Sequence, residues 1–67
     1  MRVAPSIRIT PAERKVLLLL LQGSSNEAIA CCLCLSRRTV EGHVSALLHK
    51  TGCSSRTQLV LWALAQG

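Results

Sequence analysis

At 67 residues the chain has room for one domain, and a chain of this size buries only ~60% of its unfolded surface, so its core has to be dense and regular. Leucine dominates an apolar fraction of 49%, Trp62 is the one aromatic residue, and Phe and Tyr are absent; this disfavours a sheet core and favours an all-α fold. Eight Lys and Arg against three Glu and no Asp give a net charge of +5, which selects polyanionic partners and leaves too few acids for a catalytic set, so an enzyme is not expected.

The pattern of apolar residues divides the chain into four helices. Met1 to Arg8 has no periodicity and is expected to be an arm or linker remnant, with the domain proper over 9–67. Thr10-Pro11-Ala12-Glu13 opens the first helix: Thr10 caps free backbone N–H groups, Pro11 suits the first helical position, and Glu13 has capping-box spacing. Val16, Leu17, Leu19 and Leu20 form its apolar face, and Gly23 ends it. Either serine of Ser24-Ser25-Asn26-Glu27 can cap a short second helix, with Ser24 and Glu27 at capping-box spacing and Ile29, Ala30 and Leu33 inward.

Ser36 caps a third helix whose inner face is Val40, Val44, Leu47 and Leu48. Gly52 closes it, and Lys50 in its last turn suits the helix dipole. Ser55, with Gln58 three residues on, opens a fourth helix with Leu59, Val60 and Ala63 inward, running almost to Gly67.

The leucine-rich apolar run Val16 to Leu21 is six residues, far short of the ~20 that span a bilayer. The basic residues are not opposed by one broad apolar face, so no membrane partner is expected. Met1 to Pro5 lacks the apolar run of a signal peptide. Three of the four cysteines, Cys31, Cys32 and Cys34, crowd into a few positions and Cys53 stands apart, which is poor spacing for a disulfide framework. Free thiols in a reducing cytoplasm are expected. His43 and His49 extend the thiols toward a zinc hypothesis, but Cys32-x-Cys34 is tighter than a C-x2-C ligand pair and the other ligands lie on separate helices. Neither a metal nor a cofactor is expected. The cysteines read first as small apolar residues, and Cys31 or Cys32, if exposed, as a redox-sensing thiol.

A short helix, a tight turn and a longer helix with a polar face is the helix-turn-helix arrangement, in which the second helix of the pair enters the major groove of double-stranded DNA. Arg37, Arg38, Thr39, Glu41, Gly42, His43 and Ser45 cluster in its first turns. Arg37 and Arg38 stand where such a helix meets phosphates, beside the positive end of the helix dipole. Gly42 costs about 1 kcal/mol against Ala inside a helix, and close approach to DNA is a reason for it. His43 suits a phosphate-facing or packing role.

Four stretches, Ile9–Glu13, Gly23–Ala30, Leu35–His43 and Lys50–Gly52 through Arg56, resemble the LuxR-type (GerE-like) DNA-binding domain in both order and spacing. The resemblance covers Ile9 to about Ala65. It implies a four-helix bundle containing a helix-turn-helix, the output domain of a bacterial transcription regulator, commonly behind a sensor or receiver domain. It also implies base-edge contacts at Glu41, Gly42 and Ser45, backbone contacts at or near Asn26, Arg38, Thr39 and Lys50, and dimerisation through the fourth helix. Leu61, Trp62 and Ala65 lie off the inward stripe of that helix and are the expected homodimer surface. Glu41 stands where such domains often carry Lys or Arg; a glutamate cannot hold a phosphate but accepts a hydrogen bond from cytosine N4. Cys34 occupies a turn position where glycine is frequent, and Thr51 one that is often apolar. Leu18, Leu61, Trp62 and the missing cation at Glu41 motivate an alternative, a protein-interaction or oligomerisation module on the same fold.

Overall fold

The computed structural model describes residues 8–66, so the expected arm lies outside the described residues except for Arg8. Those residues form four helices and no strand: α1 (Pro11–Leu21), α2 (Asn26–Leu33), α3 (Arg37–Thr51) and α4 (Arg56–Gln66). α3 is the hub and packs against each of the other three helices. Val16, Leu17, Leu20, Ile29, Ala30, Val40, Val44, Leu47 and Leu59 make one core, ringed by half-buried Ile9, Leu19, Leu33, Leu35, Leu48, Cys53, Val60, Trp62 and Ala63. Each fully buried aliphatic side chain is worth about 1.5–3 kcal/mol of transfer free energy, so a few such residues anchor four short helices that are marginal alone.

The helix starts follow from side-chain oxygens. Thr10 Oγ1 accepts from Glu13 N (3.1 Å) and Glu13 Oε1 accepts from Thr10 N (3.0 Å), a complete capping box. At α2 the cap is Ser25, whose Oγ accepts from Ala28 N (3.1 Å). The Ser24–Glu27 box does not form: Ser24 offers its carbonyl to Arg56 (3.1 Å) and Glu27 turns to Arg37. Ser36 caps α3 through Thr39 N (3.0 Å). At α4, Ser55 Oγ accepts from Gln58 N (3.2 Å), but Gln58 Oε1 accepts from Ser54 N (2.7 Å), one residue earlier than the expected box.

Three helices end alike. Past each end a backbone N–H reaches back to a carbonyl five residues earlier, Ser24 to Leu19, Leu35 to Ala30 and Cys53 to Leu48, and the residue just before that N–H adopts the left-handed conformation that this closure requires. Those residues are Gly23 (φ 83°), Cys34 (φ 58°) and Gly52 (φ 74°). Cys34 is the only non-glycine among the described residues with positive φ, a conformation that costs a Cβ-bearing residue roughly 1–2 kcal/mol. Cys34→Gly is therefore expected to stabilise the reduced domain by about 1 kcal/mol, less the chain entropy glycine adds to the unfolded state. A lower urea midpoint for that variant contradicts this. Thr51, polar where an apolar residue is frequent, satisfies its hydroxyl on Leu47 O (2.8 Å), the back-bonding that makes threonine tolerable in a helix.

Candidate nucleic-acid interface

α2 and α3 are separated by residues 34–36 alone. Leu35 folds into the edge of the core and Ser36 caps α3, so this short turn fixes the direction in which α3 leaves. Val40, Val44 and Leu47 hold α3 by one face. The opposite face of its first half is open: Arg37, Arg38, Thr39, Glu41, Gly42 and Ser45 are exposed, and His43 is half-buried. A Cβ built at Gly42 meets nothing within 4 Å. Packing inside the domain does not call for that glycine.

The charges of this face are arranged in pairs. Arg37 Nη1 lies 3.0 Å from Glu27 Oε2, and its Nε lies 3.8 Å from Glu41 Oε2. All three side chains are more than half exposed, so each pair is worth little in water and exchanges readily for another anion. Thr39 shares a 2.8 Å contact with the Ser36 hydroxyl. Arg38 is exposed and belongs to none of the ion pairs among the described residues.

Two expected backbone-contact residues have partners within the domain. Asn26 accepts from Arg56 through its carboxamide oxygen, leaving the NH2 as the end that suits a phosphate. Lys50 is more deeply engaged: its Nζ is 2.6 Å from Glu13 Oε1 and 2.8 Å from the Arg8 carbonyl. Glu13, 6% exposed, is the one buried charged residue among the described residues. The Lys50 hydrogen bond holds its carboxyl below the usual carboxylate range, and the Thr10 backbone bond helps, while burial opposes them. Sequence spacing reveals the capping role of Glu13 but not this tie, because the partners are 37 residues apart.

Trp62 is half-buried and packed on the core rather than standing out. Leu61 (60% exposed) and Ala65 do face outward, joined by Leu64 (64%), which sequence reasoning missed; Leu18 on α1 is 52% exposed. Leu61, Leu64 and Ala65 follow i, i+3, i+4 and so share one face of α4. Cys31, Cys32 and Cys34 are exposed and Cys53 is half-buried. Among the described residues no three His, Cys, Asp or Glu gather as a metal site, and no helix is long and apolar enough to cross a membrane.

A short bracing helix, a capped three-residue turn and a longer helix held by one face with its polar face free define a helix-turn-helix domain. Residues 8–63 match the family model of bacterial regulatory proteins, luxR family, and the chain belongs to that family. It is similar to the response regulator Rre1 of Synechocystis (52% identical over 87% of this chain and 25% of that protein) and to the probable transcriptional regulator ycf29 of Pyropia yezoensis (45% over 87% and 26%). Among solved structures it resembles the Vibrio cholerae VqmA dimer, a LuxR-type receptor, with a TM-score of 0.91 and 37% identity, over 100% of this chain and 30% of that one. The chain thus spans about a quarter of the length of these curated relatives. Membership places it among regulatory proteins rather than enzymes.

Proposed function

We propose that the chain is the sequence-specific, double-stranded-DNA-binding output domain of a bacterial transcription regulator, acting in the cytoplasm as a homodimer. The observation that carries this reading is the free polar first half of α3 with its open Gly42, mounted on a helix-turn-helix. The likeness to VqmA, a dimeric LuxR-type receptor with a target DNA, supports it. α3 lies in the major groove. Arg37, Arg38, Thr39 and His43 hold phosphates, with the Asn26 NH2, while Lys50 stays on Glu13 and the Arg8 carbonyl. Glu41, Gly42 and Ser45 face the base edges, where Glu41 accepts from cytosine N4. Two protomers joined through Leu61, Leu64 and Ala65 of α4, with Trp62 at its margin, set their third helices about 34–36 Å apart. A sensor or receiver domain, as the relatives' length suggests, governs the assembly.

The test is selection of bound sequences from a random duplex pool. Enrichment of paired half-sites near one helical turn apart, with a fixed cytosine, is the expected result. Self-association without retention of any duplex sinks the reading and favours the second one, a protein-interaction module built on the exposed Leu18, Leu61 and Leu64.

Glu27 competes with phosphate for Arg37. Glu27→Gln is expected to strengthen binding to any duplex by roughly two- to fivefold, the ~0.5–1 kcal/mol that an exposed pair and one removed negative charge are worth. Fluorescence anisotropy checks this, and unchanged affinity means Arg37 does not contact the backbone.

A further inference from the structure

We infer that Arg56 is a positioning residue for DNA binding, whose guanidinium fork fixes the Asn26 carboxamide with its NH2 outward. The inference rests on the proposed function, in which that NH2 meets a phosphate. Arg56 is the first residue of α4 and Asn26 the first of α2. Arg56 Nη1 donates to Asn26 Oδ1, and its Nη2 donates to the Ser24 carbonyl (3.1 Å). One planar group thus spans the start of α2, on both sides of its cap Ser25.

The chemistry of the two partners sets the orientation. An arginine carries donors alone, so the amide atom it meets has to be the oxygen, and the NH2 is the end left free. The terminal torsion of asparagine is broad and roughly two-fold. Without the fork the amide therefore spends part of its time with the oxygen outward, where a phosphate repels it. The first turn of α2 also carries free backbone N–H groups and the positive end of the helix dipole. A donor at this place adds to that field and an oxygen opposes it.

Packing does not account for the fork. α2 and α4 each pack on α1 and on α3, but not on one another. The hydrogen bond from Arg56 to Asn26 crosses between them, from residues 30 apart in sequence. Leu59, one turn beyond Arg56 and fully buried, already anchors α4 in the core. Arg56 is exposed and Asn26 half-buried, and hydrogen bonds so open to water add little to stability. Both terminal nitrogens of Arg56 face protein oxygens, which assigns it to holding Asn26 rather than to a phosphate of its own.

The test measures binding of a labelled DNA duplex by fluorescence anisotropy, with urea unfolding of each variant of the 67-residue chain. Asn26→Ala is expected to weaken binding roughly tenfold, the worth of one hydrogen bond to a charged group. Arg56→Lys keeps the charge and loses the fork; it is expected to weaken binding by most of that factor, with the salt slope unchanged. The double variant binds no more weakly than Asn26→Ala, because Arg56 acts through Asn26. Asn26→Asp keeps an oxygen for the fork and sets a second one toward the phosphate; it binds more weakly than Asn26→Ala without a lower urea midpoint. Arg56→Lys binding as wild type overturns the inference, as do additive losses in the double variant, wild-type affinity in Asn26→Asp, or an unfolded Arg56→Lys chain. Arg56→Met flattening the salt slope by about two overturns it as well, since Arg56 then holds a phosphate itself. If the wild-type chain binds no duplex, the DNA-binding reading falls and takes this inference with it; if it binds and the losses add, the inference alone falls.

Discussion

Between about 50 and 200 mM salt, the affinity for duplex DNA is expected to fall on the order of a hundredfold. In the proposed dimer Arg37 and Arg38 of each protomer neutralise about four phosphates and release the counterions they held, and the log–log slope is then roughly −4. The charges available for those contacts are few, because Arg37 faces Glu27 and Glu41, and Lys50 faces Glu13. The Arg37 pairs do not forbid the exchange, since exposed carboxylates are weak competitors for a guanidinium. The Lys50 pair is a stronger competitor, with one partner almost fully buried.

Two variants separate these cases. Arg38→Ala removes one contact per protomer and is expected to flatten the slope by about two in the dimer. Lys50→Met leaves the slope nearly unchanged and acts on stability instead. Titrations by anisotropy at four or five salt concentrations read both. A slope near zero for the wild-type chain removes the electrostatic mechanism, and a Lys50→Met slope matching that of Arg38→Ala restores Lys50 as a phosphate contact.

The four helices and their order were legible because local chemistry punctuates this chain: Thr10, Ser36, Gly23 and Gly52 act at their own positions, and an apolar period of 3.6 marks each inner face. What was less legible depended on distant partners. Ser24 and Glu27 have the spacing of a capping box, yet Arg56 claims the Ser24 carbonyl and Arg37 claims Glu27, and both arginines arrive from other helices. Trp62 lies off the Leu59, Val60 and Ala63 stripe on a helical wheel, but a large side chain at the flank of a stripe can still fold onto the core, as it does here. The outward face of α4 then shifts to Leu61, Leu64 and Ala65. The exposed face of α3 was readable from the same periodicity that buried Val40 and Val44. Which of its residues touch DNA depends on a partner whose shape no intramolecular pattern encodes.

Glu13→Gln is expected to destabilise the domain by about 1–3 kcal/mol at neutral pH, below the ~3–5 kcal/mol of a fully buried pair because Lys50 keeps access to solvent. Glutamine retains an oxygen for Thr10 N, so the capping box survives in part and the loss falls on the charge at Lys50. That ammonium ties the last turn of α3 to the first turn of α1 and to the Arg8 carbonyl. The loss also carries a pH signature. Lys50 holds the folded-state carboxyl of Glu13 below its ordinary value, so the folded domain binds this proton less readily than the unfolded chain does. The stabilisation is fully present above the unfolded value, near pH 4.5, and is lost as pH falls through the lower folded value. The gap between wild type and Glu13→Gln is therefore wide at pH 7 and closes toward pH 3, while acid effects common to both chains cancel in the difference. Urea unfolding at the two pH values measures it. A gap that persists undiminished at pH 3 means the substitution acts through packing or the cap alone. Closure of the gap assigns the α1–α3 junction to the ion pair and accounts for Lys50 as a residue of α3 that serves the fold.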